Sequence, residues 1–167
     1  MEVRYKNEYV RDLDTIKEML AWSNFKSPIR IATLVLIAVG IIQSVTSYLH
    51  FHDNTFLVSL VIWIIFIFLL IFLYKKRVKL YAARDKEVSG GKEEEITVSL
   101  YDDKMAIEAS SGGCVEVAYS SLKKIYTTKN LIIALSGARL MYILKKDSFT
   151  VGSADECVAF LKSKIKR

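Results

Sequence analysis

Two apolar runs, Ile31–Leu49 and Phe56–Tyr74, dominate the hydrophobic pattern of this chain. Neither contains a Lys, Arg, Asp or Glu, and the polar stretch His50–Thr55 joins them. A helix of about 19 residues rises about 28 Å, close to the ~30 Å hydrocarbon core of a bilayer. The pattern therefore predicts a two-span transmembrane helical hairpin. Thr33, Gly40, Ser44 and Ser47 fall on one face of the first span, and Gly40-x-x-x-Ser44 is a spacing that lets helices approach closely. That face is expected to pack on the second span, the alternative being a partner helix or a second copy. The second span is nearly all Leu, Ile, Val and Phe, with Ser59 its small polar residue, and inserts on its own.

Outside the hairpin the pattern changes period. Glu2–Val10 alternates, with Val3, Tyr5 and Tyr9 on one face, as a half-buried strand does. Asp12 or Asp14 caps a helix running to about Trp22, with Leu13, Ile16 and Leu20 as its apolar stripe. Its acidic residues favour packing on a polar domain over lying among headgroups. Pro28 marks entry to the first span. Lys75–Val88 continues the second helix until Ser89-Gly90-Gly91 stops it. Alternating segments follow around Ile96–Leu100, Met105–Ile107, Val115–Tyr119, Leu122–Thr128, Leu131–Leu135 and Arg139–Leu144, separated by turn residues. Ser153-x-x-Glu156 is a capping box that opens a final helix to about Lys164.

The expected fold is membrane α+β: the hairpin plus a cytosolic antiparallel β domain with a C-terminal helix. The boundaries read as 1–28 (strand and amphipathic helix), 29–88 (hairpin with helical extension) and 89–167 (β domain). Seven strands and a closing helix are the element count of a pleckstrin-homology-like barrel, although a simple sheet with a helix on one face also fits. In the barrel reading the hairpin interrupts a single cytosolic domain.

The formal net charge of +6 adds orientation. Basic residues precede the first span and follow the second, whereas the joining turn has no Lys or Arg. The positive-inside rule then places both termini in the cytoplasm and the protein in the cell membrane as a multi-pass chain. Arg30, Lys75, Lys76, Arg77 and Lys79 are the expected juxtamembrane contacts to anionic lipid headgroups. With the cations so placed, the bilayer is the simpler partner and nucleic acid is not expected. Residues 1–20 are too charged for a cleavable signal peptide, so the first span is read as a retained signal-anchor.

The segment Thr97-Val98-Ser99-Leu100-Tyr101-Asp102-Asp103-Lys104-Met105 resembles the opening hairpin of the YcxB-like family of small bacterial membrane proteins. Val117-Ala118-Tyr119-Ser120-Ser121-Leu122-Lys123-Lys124-Ile125 is similar to that family's central I-x-W-x-x-I-x-K-I stretch, with Tyr119 in the tryptophan place. Ile143–Phe149 is similar to its I-P-K-R-x-F segment, with Leu144 where proline is common and Lys146 at the arginine. The resemblance implies architecture (an N-terminal strand and helix, a two-span hairpin, a β-rich C-terminal domain) and no defined activity.

Candidate chemistry is thin. Both histidines, His50 and His52, lie in the turn, where with Asp53 they form too short a segment to support a metal site. Asp102-Asp103 reads as turn chemistry, and Cys114 and Cys157 read as small apolar residues without a histidine partner. No enzyme activity and no cofactor is expected. Two function classes remain: a binding module at the inner membrane surface, or an accessory subunit docking a larger complex. For the first, Lys123, Lys124, Lys129, Lys145 and Lys146 are the candidate basic patch, against a plainer role as solubilising and edge-guarding residues.

Overall fold

The computed structural model describes residues 2–25, 28–51, 55–91 and 93–165. The elements run β1 (Tyr5–Val10), α1 (Leu13–Phe25), α2 (Pro28–Phe51), α3 (Thr55–Val88), β2 (Glu95–Leu100), β3 (Lys104–Ala109), β4 (Cys114–Ala118), β5 (Leu122–Thr127), β6 (Leu131–Ser136), β7 (Met141–Lys145), β8 (Phe149–Val151) and α4 (Ala154–Lys164). The chain thus combines two long apolar helices with an antiparallel β domain closed by a C-terminal helix. Two compact units result, one of Met1–Met19 with Ala82–Arg167, the other Leu20–Tyr81. The sequence-drawn boundaries at 28/29 and 88/89 therefore move. The N-terminal strand and the first turns of α1 belong to the β unit, and so does the end of α3.

In the β unit one sheet has the order β4-β3-β2-β1-β8 and a second has the order β5-β6-β7. β1 pairs antiparallel with β2, from Tyr5 opposite Leu100 to Val10 opposite Glu95, and with β8 on its other side through Lys6–Val151 and Asn7–Phe149. Strand β8 is an addition to the seven strands that the pattern predicts, so the described residues hold eight. At three residues it is too short to display a period. Arg139 lies outside β7, as the left-handed residue of the preceding turn at φ 63°.

The alternation in β2 does what the pattern predicts: Ile96, Val98 and Leu100 are buried. In β6 the consecutive residues Leu131, Ile132, Ile133 and Ala134 are all buried, so both faces of that strand are covered. Helix α4 opens on the expected capping box. Ser153 Oγ accepts from the Glu156 amide, and Glu156 Oε2 accepts from the Ser153 amide at 3.3 Å. Cys157 and Leu161 are fully buried on its inner face. Phe160 on the same helix stacks at 5.4 Å on Tyr5 and edge-on at 5.7 Å on Tyr119. Gly152, at φ 77°, lies so close to the Tyr5 ring that any side chain there would overlap it.

Asp12 caps α1, its Oδ1 accepting from the Thr15 amide at 2.7 Å. The start of α1 is fastened to the second sheet. Asp12 pairs with Lys145 at 3.5 Å, and both oxygens of Glu18 take hydrogen bonds at 2.9 Å from Asn130, one from its amide N–H and one from its side chain. This is the domain-packing arrangement that the acidic residues of α1 favoured.

The hairpin unit contains two helices long and apolar enough to cross a membrane. The joining segment is shorter than expected, because α2 runs through His50 to Phe51 and α3 begins at Thr55; His52 and Asp53 lie outside the described residues. α3 continues through the cationic stretch to Val88. It stops in a left-handed glycine cap, with Gly91 N–H on the Lys86 carbonyl at 2.7 Å, Gly90 N–H on that of Glu87 at 3.3 Å and Gly90 at φ 64°.

Candidate functional site

The five candidate lysines do not form one patch. Lys123 and Lys124 are exposed on β5, where Lys124 faces Leu135 across the register, toward the far end of β6. Lys145, opposite Leu131, and Lys146 lie at the other end, beside the β5–β6 turn that carries Lys129. Lys145 is engaged with Asp12, and the Lys146 ammonium donates to the carbonyls of Thr128 and Lys129. These two side chains fasten α1 and the β5–β6 turn to β7. Lys129 is exposed at that turn.

This clasp has a pH signature. Burial opposes ionisation of the Asp12 carboxyl, but the Thr15 amide and Lys145 overcome it and hold the group below its ordinary range. Burial likewise opposes ionisation at Glu18, and Asn130, Thr128 and Lys146 outweigh it. Both carboxyls are more acidic folded than unfolded, so the unfolded chain takes up protons first on acidification. Their stabilisation is complete above the unfolded carboxylate range and is lost as pH falls through the folded values. The thermal midpoint should fall between about pH 5 and about pH 3, and more shallowly in Asp12→Asn/Glu18→Gln. Identical slopes in the two proteins would contradict this.

A buried polar residue that the sequence reading did not single out lies on β1. Asn7 is 0% exposed, and its amide pairs reciprocally with the backbone of Lys145. Nδ2 donates to the carbonyl at 2.7 Å, and Oδ1 accepts from the N–H at 3.0 Å. Two positions on, the Tyr9 hydroxyl donates to the Ile143 carbonyl at 3.1 Å. Side chains of the first sheet thus satisfy backbone groups of β7 in the second. Burial pushes the Tyr9 phenol up to about 12, which keeps it a donor. The available signal was the spacing: Asn7 shares a face with Tyr5 and Tyr9, and an amide at an inward position needs partners.

At the same end of β1, Arg11 meets the buried Glu94 at 3.3 Å and Asp85 of α3 at 3.7 Å. Ser111 Oγ donates to the other Glu94 oxygen at 2.8 Å. Every member of this cluster is used in holding β1, β2 and the end of α3 together.

On the helix face, Gly40 sits directly against the Trp63 indole, with no room for a Cβ. Ser44 is buried, donates to the Gly40 carbonyl at 2.8 Å and accepts from Ser59 Oγ at 2.6 Å. Ile37 is buried on this face, Thr33 is half-buried, and Ser47 points outward and is exposed. Gly40→Leu should therefore destabilise the full-length protein in mild detergent by about 1–3 kcal/mol through overpacking. Trp63→Ala in the same chain should restore part of that loss, and strictly additive effects would show that the two residues do not meet.

Among the cations flanking the two apolar runs, Arg30, Lys75, Lys76 and Lys79 are exposed. Arg77 is half-buried, donates to Asn24 Oδ1 at 3.3 Å and lies 5.9 Å over the Tyr81 ring.

Of the chemically reactive groups, Cys114 is exposed and Cys157 is buried, with burial pushing its thiol up to about 12. Asp102 pairs with Arg4 at 2.6 Å on the surface. Among the described residues no three His, Cys, Asp or Glu side chains gather in a way that could hold a metal ion. Two residues at which the family-like segments depart from the pattern are in the core. Tyr119 is buried in a single 3-10 turn, its hydroxyl on the Tyr101 carbonyl at 2.8 Å, and Leu144 is buried in β7. Comparison with protein-family models, with curated proteins and with solved structures returns no match to this chain.

Proposed function

We propose that the chain is a two-span protein of the cell membrane whose β unit is a binding module held at the cytoplasmic surface, both termini lying inside. The observation that carries this is the pairing of β1 with β2. β1 precedes both apolar helices and β2 follows them, so an even number of crossings separates two strands that share one sheet. The outward faces of α2 and α3 add support. Leu36, Ile42, Ile62 and Phe68 are 58–67% exposed, a surface suited to lipid and costly in water.

The strand order adds a further likeness to a pleckstrin-homology-like barrel. β1–β4 are neighbours in sequence order in one sheet, β5–β7 in the other, and a helix follows; β8 is an addition at the free edge of β1. The YcxB-like resemblance rests on the sequence segments alone. The ligand contacts proposed for this module centre on Lys123 and Lys124, since Lys145 and Lys146 are committed to the clasp and Lys129 lies apart in the β5–β6 turn. The accessory-subunit reading draws less support, because Trp63 and Ser59 of the same hairpin occupy Gly40 and Ser44.

Thiol labelling tests the orientation. With a membrane-impermeant maleimide, Cys114 should react only after permeabilisation, and a cysteine introduced by Asn54→Cys should react in intact cells. The opposite pattern would overturn the proposal.

A further inference from the structure

We propose that the hairpin unit holds one anionic phospholipid, its acyl chain in a side cavity between α1, α2 and α3 and its phosphate at Arg30. The cavity measures about 490 Å³, within the range of small-ligand sites. All of its walls belong to the Leu20–Tyr81 unit. Its polarity is graded. Arg30 and Tyr74 mark the boundary ends of the two apolar runs, and Leu34 and Leu70 lie one helical turn further into them. The cavity is thus cationic and polar at one end and apolar beyond, which is the profile of a lipid head followed by its chain.

The remaining polar groups have other work. Asn24 accepts from Arg77, and the Thr33 hydroxyl donates to the Ile29 carbonyl at 2.9 Å. Arg30 is exposed, and among the described residues no carboxylate pairs with it. A guanidinium at this level takes a phosphate bidentately, and the bilayer supplies that group attached to an acyl chain. The inference rests on the membrane-span reading above. It goes beyond that reading in assigning a discrete bound lipid to the hairpin, separate from any ligand of the β module.

Native mass spectrometry of the full chain from mild detergent tests it, with phosphatidylglycerol, phosphatidylcholine or oleate added in parallel. The expected result is one retained phosphatidylglycerol per chain, in preference to the other two. Arg30→Gln should weaken that retention about fivefold, the effect of one interfacial charge. Ala21→Phe, which grows a ring from the cavity wall, should abolish it while the protein stays monodisperse. Equal retention of phosphatidylcholine, preferred retention of oleate, or unchanged binding in both variants would overturn the lipid site. Carbonate extraction separates this from the underlying reading. A chain that stays in the membrane but retains no lipid sinks only the site, whereas a chain released by carbonate sinks both.

Discussion

A chain beginning at Ser89 should fail to fold, although it contains seven of the eight strands and the closing helix. It lacks β1, which is an interior strand of its sheet and lies between β2 and β8. Without β1, the buried row Ile96, Val98 and Leu100 flanks an open edge, and β8 loses its only strand neighbour in that sheet. The hydrogen bonds from Asn7 and Tyr9 to β7 disappear with it. Such a fragment should show no cooperative urea transition and should aggregate through the exposed strand edge. Joining residues 1–19 to 82–167 through a flexible Gly/Ser linker should restore a soluble, cooperatively unfolding protein, because those two pieces make up the β unit. A fragment from Ser89 that unfolds cooperatively at the same urea concentration as the joined chain would show that β1 is dispensable.

The second large effect should come from one amide. Asn7→Ala leaves the Lys145 N–H without its side-chain acceptor, whereas the Lys145 carbonyl loses one donor and keeps the Ser148 N–H at 3.2 Å. An unsatisfied buried backbone group costs about 1–3 kcal/mol, and the substitution should cost about that much. Against a total of about 5–15 kcal/mol, that is a large share for a single side chain. Asn7→Asp preserves shape but not chemistry. Its carboxylate accepts from the Lys145 N–H, cannot donate to the carbonyl, and places a charge at a fully buried position. It should be at least as damaging at neutral pH and should recover partly on acidification, since a protonated carboxyl regains a donor. Thermal unfolding of the full chain in detergent measures both, and losses below about 1 kcal/mol would mean that water replaces the amide.

Much of the architecture was legible where period and length speak together. The two apolar runs exceed what a soluble domain of this size needs, and they appear as α2 and α3. The Ser153/Glu156 cap and the Gly90-Gly91 stop are local chemistry, and both occur where the residues place them. The alternation of Ile96–Leu100 predicted β2 because its apolar residues share one buried face, although Ser99 on the other face is buried as well. Two features were not legible for opposite reasons. β8 has three residues, too few to show a period. The continuous burial of Leu131–Ala134 gives a strand but does not say which neighbours cover its second face.

The lysines show a different limit. A sequence displays charge without its partners, so Lys145 and Lys146 resembled Lys123 and Lys124. Only the fold brings Asp12 and the Thr128 and Lys129 carbonyls to the first pair and leaves the second pair in solvent. Asn7 was hidden among polar neighbours in the same way, since its importance comes from a contact 138 residues away.

That separation has a consequence for biosynthesis. β1 leaves the ribosome before the other strands, and its partners β2 and β8 follow only after both long helices have been made. Throughout that interval the strand is an open edge, available to proteases and chaperones. Closure of the sheet therefore waits on the synthesis of α2, α3 and the later strands, and β1 stays unpaired on its β8 side until the last of them is made.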